Sequence, residues 1–263
     1  MFKKQLKLFI FVLLVLAISI QACSTPAPAT PTPTAPPPTG TALPSLTPTM
    51  TAKPTSTPRP TNTPDVRITE VYEHLYSKVQ MFKDESLIPA TNGEYRILDA
   101  FNKSFAQIGW MSYEYSDFEV EYFVFNADVT WRTAVDNADT SGCGIVFAIE
   151  EKGKNNEYYG VILDKSRIYF TSARSGHYRE LGKTRGTGRL DFGNPAEAEL
   201  TILVYENLAY VYVDDNFVGE YGLSKDKAVR GKFGYGIISG TNKSYGTTCS
   251  IKNARMWEIS TED

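Results

Sequence analysis

Three cysteines and two histidines are all the soft-ligand and thiol chemistry in this chain of 263 residues. His74 and His177 stand far from each other and from any cysteine pair, so no zinc-ligand spacing is present. Charge of one sign is lacking too. The formal net charge is −3, with no basic run, which excludes a nucleic acid or other polyanion held by electrostatics. Long apolar runs are absent: the longest, Leu8 to Ile20, is thirteen residues, short of a helix spanning roughly 30 Å of hydrocarbon. No nucleophile elbow or phosphate-cradling glycine loop occurs. GKTRGTG at 182–188 lacks the Gly-Lys-Ser/Thr ending and reads as a flexible turn. Proline is nearly missing from the second part of the chain. Thirteen of the 15 prolines lie in residues 24–64, and that segment has no aromatic residue and no acid.

Such a segment cannot bury enough apolar surface to offset its ordering entropy. Repeated Thr-Pro favours an extended, polyproline-like chain, a spacer of on the order of 130 Å at most. Before it come Lys3, Lys4 and Lys7, the apolar run, and Ile20-Gln21-Ala22-Cys23. This arrangement resembles a bacterial lipoprotein signal with its lipobox, although Gln21 replaces the usual small residue. The resemblance implies cleavage before Cys23 and a lipid on its sulfur. Ser24 after the cysteine then implies the outer membrane where there are two. An uncleaved anchor, or plain secretion with Cys23 free, are the alternatives. The expected organisation is a signal peptide at 1–22, a lipidated cysteine plus Thr/Pro tether at 23–64, a helical segment at 65–93, and a β-sandwich at 94–263.

Asp65 is placed to cap a helix. Val66, Ile68, Val71, Leu75, Val79 and Phe82 then form one apolar stripe that ends by Pro89. From Glu94 the period is two. Asp117–Phe125 reads as one strand, with Phe118, Val120, Tyr122 and Val124 on one side and Glu119, Glu121, Phe123 and Phe125 on the other. Short strands follow at close intervals, with Glu206-Asn207 and Asp214-Asp215-Asn216 as turns. Many short strands without intervening helices predict an all-β antiparallel sandwich preceded by a short helix.

DFEVEYFVFNADVTW, ELTILVYENLAYVYVDDNFVGEY and GKFGYGIISG…CSIKNARMWEI carry a family likeness over about Asp117 to Ile259. Their order resembles the concanavalin A-like lectin/glucanase jelly rolls, including laminin G-like and 3-keto-disaccharide hydrolase-like domains. The likeness implies a jelly-roll β-sandwich. It leaves function open, because this fold hosts lectins, hydrolases and adhesion modules.

Cys143 and Cys249 each open a predicted strand. In an exported domain two thiols usually pair, so a Cys143–Cys249 disulfide is expected. Glu119 and Glu121, two apart on one strand, are the nearest match to a glucanase acid pattern, but Val124 stands where a third acid would be. No catalytic residue is assigned. Asp136 and Asp139, crowded into a loop with Asn137, offer oxygen ligands suited to calcium, and they equally suit a plain loop. Sugar recognition needs aromatic faces beside amides. Tyr158 with Asn156, Tyr178 with His177, and Tyr245 with Asn242 are the candidate ligand-binding residues; Trp110, Tyr113 and Tyr115 form a further cluster. Trp131 and Trp257 fall on strand patterns and are expected in the core.

These residues imply a surface module, lipid-anchored at Cys23 and non-catalytic, with a glycan as ligand. A glycoside-processing enzyme and an envelope protein–protein domain are the alternatives. The latter would use the helix and the faces of Phe123 and Phe125.

Overall fold

The computed structural model describes residues 66–153, 155–225 and 229–260. Cys23, the signal and the tether lie outside them. Helix α1 spans Val66–Asp84. The strands that follow are β1 (Gly93–Ile97), β2 (Phe101–Phe105), β3 (Trp110–Val120), β4 (Phe123–Thr133) and β5 (Asp139–Glu150). Next come β6 (Glu157–Asp164), β7 (Ile168–Arg174), β8 (His177–Glu180), β9 (Lys183–Arg185) and β10 (Ala196–Tyr205). The chain closes with β11 (Leu208–Val213), β12 (Asn216–Gly222), β13 (Gly231–Gly240) and β14 (Thr247–Ile259).

They form two antiparallel sheets. One runs β1-β14-β4-β10-β11-β12-β9, with β2 also on β14; the other runs β3-β13-β5-β6-β7-β8. This is the expected β-sandwich. Its interior is filled by inward residues of both sheets, among them Phe123, Phe125 and Trp131 against Phe147, Tyr159 and Phe233. Cys143 on β5 and Cys249 on β14 are bonded, with their Cα atoms 5.8 Å apart, so the disulfide ties one sheet to the other.

The single strand read at Asp117–Phe125 is a corner. β3 belongs to one sheet and β4 to the other, and the chain crosses between them at Glu121-Tyr122. The facing therefore changes. Phe123 and Phe125 are fully buried in the core and offer no docking face. Val124 points outward, beneath α1. The 182–188 segment, read as a turn, contributes β9 to the edge of the larger sheet.

Helix α1 covers the outer face of the eight-stranded sheet. Leu75, Val79 and Phe82, at four- and three-residue steps, are fully buried against Val124, Leu203, Tyr210, Tyr212 and Trp257. Lys78 goes down with them. Its ammonium meets Glu199 at 2.7 Å and also Asp215, while His74 Nε2 lies 2.9 Å from the second Glu199 oxygen.

Burial pushes the Glu199 carboxyl up, but the Lys78 ammonium and then His74 outweigh it and hold the group below its ordinary 4.5. A carboxylate lowered in the folded state stabilises fully above its unfolded value and progressively less as pH falls through the folded one. Between pH 7 and about 3, the urea midpoint of the natural protein is therefore expected to start above that of Glu199→Gln, fall more steeply below about 4.5, and converge on it. Parallel curves would remove this ion pair from the acid response.

Candidate functional site

Successive side chains on a strand point to opposite faces, and this sorts the tyrosines. On β6, Tyr159 enters the core and stacks on Phe147, while Tyr158 points to the outer face of the six-stranded sheet. Tyr113 and Tyr115 of β3 lie on that outer face with Met111, and Tyr169 and Thr171 of β7 lie there as well.

That face is cupped. Met111 sits on β3 and Gly160 on β6, three strands away, about 14 Å in a flat sheet. Yet a Cβ on Gly160 would lie only 3.5 Å from Met111 Cε, and one on Gly236 only 3.5 Å from its Sδ. The two glycines let the methionine lie across the sheet floor.

Above this floor a cleft of 130 Å³ is lined by Gly109, Trp110, Met111, Tyr169, Thr171, Tyr178 and Ile238. It thus joins β3 and β8, the two edges of the sheet. Trp110 and Tyr178 are 59% and 57% exposed, so each presents a ring to solvent. The cleft is well below the roughly 300–1,000 Å³ of sites that engulf a small molecule. It suits a flat ligand laid against aromatic faces.

A chain of polar contacts holds the rings. The Tyr158 hydroxyl donates to the Tyr178 hydroxyl at 2.9 Å, and the Tyr113 and Tyr158 rings pack at 4.8 Å. Asn156 Nδ2 donates to the Tyr113 hydroxyl at 3.2 Å. The Tyr115 hydroxyl donates to Glu151 at 2.7 Å, which also takes Lys232 at 3.0 Å. Burial pushes the Tyr158 phenol up, reinforced by the bond to Tyr178. Burial likewise raises Tyr113, against the Asn156 bond, and Tyr169. The bond to Glu151 raises Tyr115. These tyrosines are neutral hydroxyls at physiological pH.

Of the residues singled out in the sequence, the structure brings together Tyr158, Asn156 and Tyr178 with Tyr113, Tyr115 and Trp110. Tyr158 itself is 2% exposed; it lies on a strand and positions Tyr178 from behind. His177 lines a different cleft, with Tyr159, Arg174 and Ser224. Tyr245 is half-buried under the Arg132 guanidinium, 4.9 Å from its ring centre. Asn242 is exposed, and neither it nor Tyr245 lines the aromatic cleft. Met111, Tyr169 and Thr171 escaped the sequence reading. The alternation Tyr169-x-Thr171 was the available signal, but the strand partner that gives it meaning is remote.

Asp136 accepts from Asn194 Nδ2 at 2.6 Å, and its carbonyl takes the Lys165 ammonium at 2.9 Å. The Asp139 side chain lies outside the described structure. Among the described residues no three His, Cys, Asp or Glu side chains converge as a metal site. A separate cleft of 310 Å³ gathers Glu94, Glu119, Glu121 and Glu258 with Arg230. Glu121 stands in the corner between β3 and β4 and not on a strand; Glu119 pairs with Arg230 at 3.1 Å.

No protein-family model and no curated protein matches the chain. Solved structures do. The carbohydrate binding module CBM66 from Bacillus subtilis is 15% identical over 63% of this chain and 92% of its own, with a TM-score of 0.42. A protein of unknown function with a galectin-like fold, also from Bacillus subtilis, is 9% identical over 63% and 89%, at 0.41. A Bacillus licheniformis beta-glucanase is 11% identical over 56% and 71%, at 0.38. At such identities and TM-scores these likenesses transfer no binding or catalytic role.

Proposed function

We propose that this protein is a non-catalytic glycan-binding module, lipid-anchored at Cys23 and displayed on the cell surface. One observation carries the reading. Two exposed aromatic rings, Trp110 and Tyr178, from opposite edges of a cupped sheet, line one shallow cleft. Sugars present apolar C–H faces and hydroxyl edges, and an aromatic floor with phenol, indole and threonine groups answers both. Among the described residues the cleft's lining contains no carboxylate and so offers no acid–base pair for glycoside hydrolysis. The disulfide fits an extracytoplasmic location, and no described helix is long and apolar enough to cross a membrane. The anchor rests on the lipobox-like residues before Cys23, and a Cys23→Ser protein should leave the membrane fraction.

The intact protein in detergent, applied to a glycan array, tests the binding. Trp110→Ala should weaken any glycan found by roughly thirty-fold, the loss of about 2 kcal/mol typical of an anchor ring. Tyr158→Phe should weaken it about five-fold, by freeing Tyr178 from its hydrogen bond. A blank array with folded protein sinks the reading.

The second reading, a glycoside-processing enzyme, draws on the cleft of four glutamates at the β3–β4 corner. Reducing-sugar release that disappears in Glu119→Gln would establish it in place of the first.

A further inference from the structure

The charge around the aromatic cleft narrows the ligand class, given that the glycan reading holds. Two cations touch tyrosines of this face. Arg167 lies 5.4 Å from the Tyr169 ring centre, and its guanidinium is already paired with Glu180 at 2.7 Å. Lys232 lies 5.2 Å from the Tyr115 ring centre and is paired with Glu151 at 3.0 Å and Asp117 at 3.7 Å. Each of these two charges is therefore met by a carboxylate of the same domain.

Inside the cleft every polar group is uncharged: the Trp110 indole N–H, the Thr171 hydroxyl, and the phenols of Tyr169 and Tyr178. The Tyr178 oxygen accepts from Tyr158, which leaves its own proton to donate outward. Hydroxyls both donate and accept, as sugar hydroxyls do. A carboxylate or sulfate brought onto this surface would lose hydration while, among the described residues, the two cations that touch its tyrosines are already paired; neutral sugars avoid this cost.

We infer that the cleft selects uncharged glycans, with a sugar ring lying between Trp110 and Tyr178, and discriminates against uronate- or sulfate-bearing chains. Discrimination arises here from a missing partner for the wrong ligand as much as from contacts to the right one.

The test uses matched pairs that differ in charge alone: dextran and dextran sulfate, hydroxyethyl- and carboxymethyl-cellulose, fully methyl-esterified and de-esterified pectin. Each is titrated into the intact protein and its Trp110→Ala variant. Trp110 is exposed, so the variant should fold, and thermal unfolding of both proteins checks that. The expected result is a neutral member bound about tenfold or more tighter than its anionic twin. Its affinity should depend on Trp110 and stay unchanged between low salt and about 0.5 M salt, where long-range charge effects are screened. An anionic member bound equally well or better, again through Trp110, overturns the inference and leaves the glycan reading standing. Failure of the folded protein to bind any member, together with a blank array, overturns that reading and this inference with it.

Discussion

Reducing the Cys143–Cys249 bond is expected to lower the melting temperature by roughly 10–20 °C, the largest single effect on stability in this domain. The bond closes a loop of 106 residues in sequence. Chain-entropy arithmetic for a loop near 100 residues gives about 4.7 kcal/mol, and each kcal/mol shifts a domain of this size by about 2–4 °C. Both cysteines are buried between the sheets, at 0% and 1% exposure, so reductant reaches their sulfurs only through opening of the sandwich. The native protein should accordingly resist reduction until it is warmed or partly denatured. A Cys143→Ala/Cys249→Ala protein should show the same loss without reductant, free of the cost that buried serine hydroxyls would add. Scanning calorimetry with and without reductant measures it. A shift under about 3 °C would show that the unfolded chain is already constrained by other means. The bond matters beyond stability, because such bonds form in oxidising compartments, which fits an extracytoplasmic location.

Much of this architecture is written in short-range patterns. The turn at Asp214-Asp215 is one: both residues adopt the left-handed conformation, with φ of 49° and 63°, that a two-residue hairpin linking β11 to β12 demands. The stripe Leu75, Val79, Phe82 is another. The cysteine pair was legible because export restricts what two thiols in one domain do.

What escaped did so for identifiable reasons. The eight-stranded sheet is covered on both faces, by the core and by α1, so Val124 and Leu203 are as buried as Phe123 and Ile202. Alternation of apolar with polar residues then vanishes, and with it the cue to which way β4 faces. The β3–β4 corner has no glycine or proline to mark it. The site is harder still. Trp110 and Tyr178 come from the two edges of one sheet, and only the strand order β3-β13-β5-β6-β7-β8 brings them to a common cleft. Exposed tyrosines were the right chemistry to look for. Distinguishing Tyr178, which faces the cleft, from Tyr158, which supports it, required the register of β6 against β7 and of β7 against β8.

Replacing Phe82 by alanine is expected to cost about 3–5 kcal/mol, the usual penalty for emptying a fully buried aromatic site. Its ring packs 5.3 Å from that of Tyr212 and seats the C-terminal half of α1 on the sheet. The helix has other holds: Leu75 and Val79 on the same stripe, Tyr72 and Tyr76 against Trp257, and Lys78 and His74 on Glu199. Phe82 is the largest fully buried side chain among them, so its loss should release α1 before the sandwich opens, baring Val124, Leu203, Tyr210, Tyr212 and Trp257. Urea unfolding followed by reductant access to the Cys143–Cys249 bond, which lies between the sheets, and by dye binding should separate in Phe82→Ala, with the dye responding first. Coincident transitions would mean that helix and sandwich unfold as one unit and that the helix is part of the same cooperative core. The aromatic cleft lies on the outer face of the other sheet, with the whole core between. Below the new melting point, affinity at Trp110 should stay within about twofold of the natural protein, since sites that share no partners act additively. What changes is how α1 is seated on the face of the eight-stranded sheet that carries Val124, Leu203 and Tyr212.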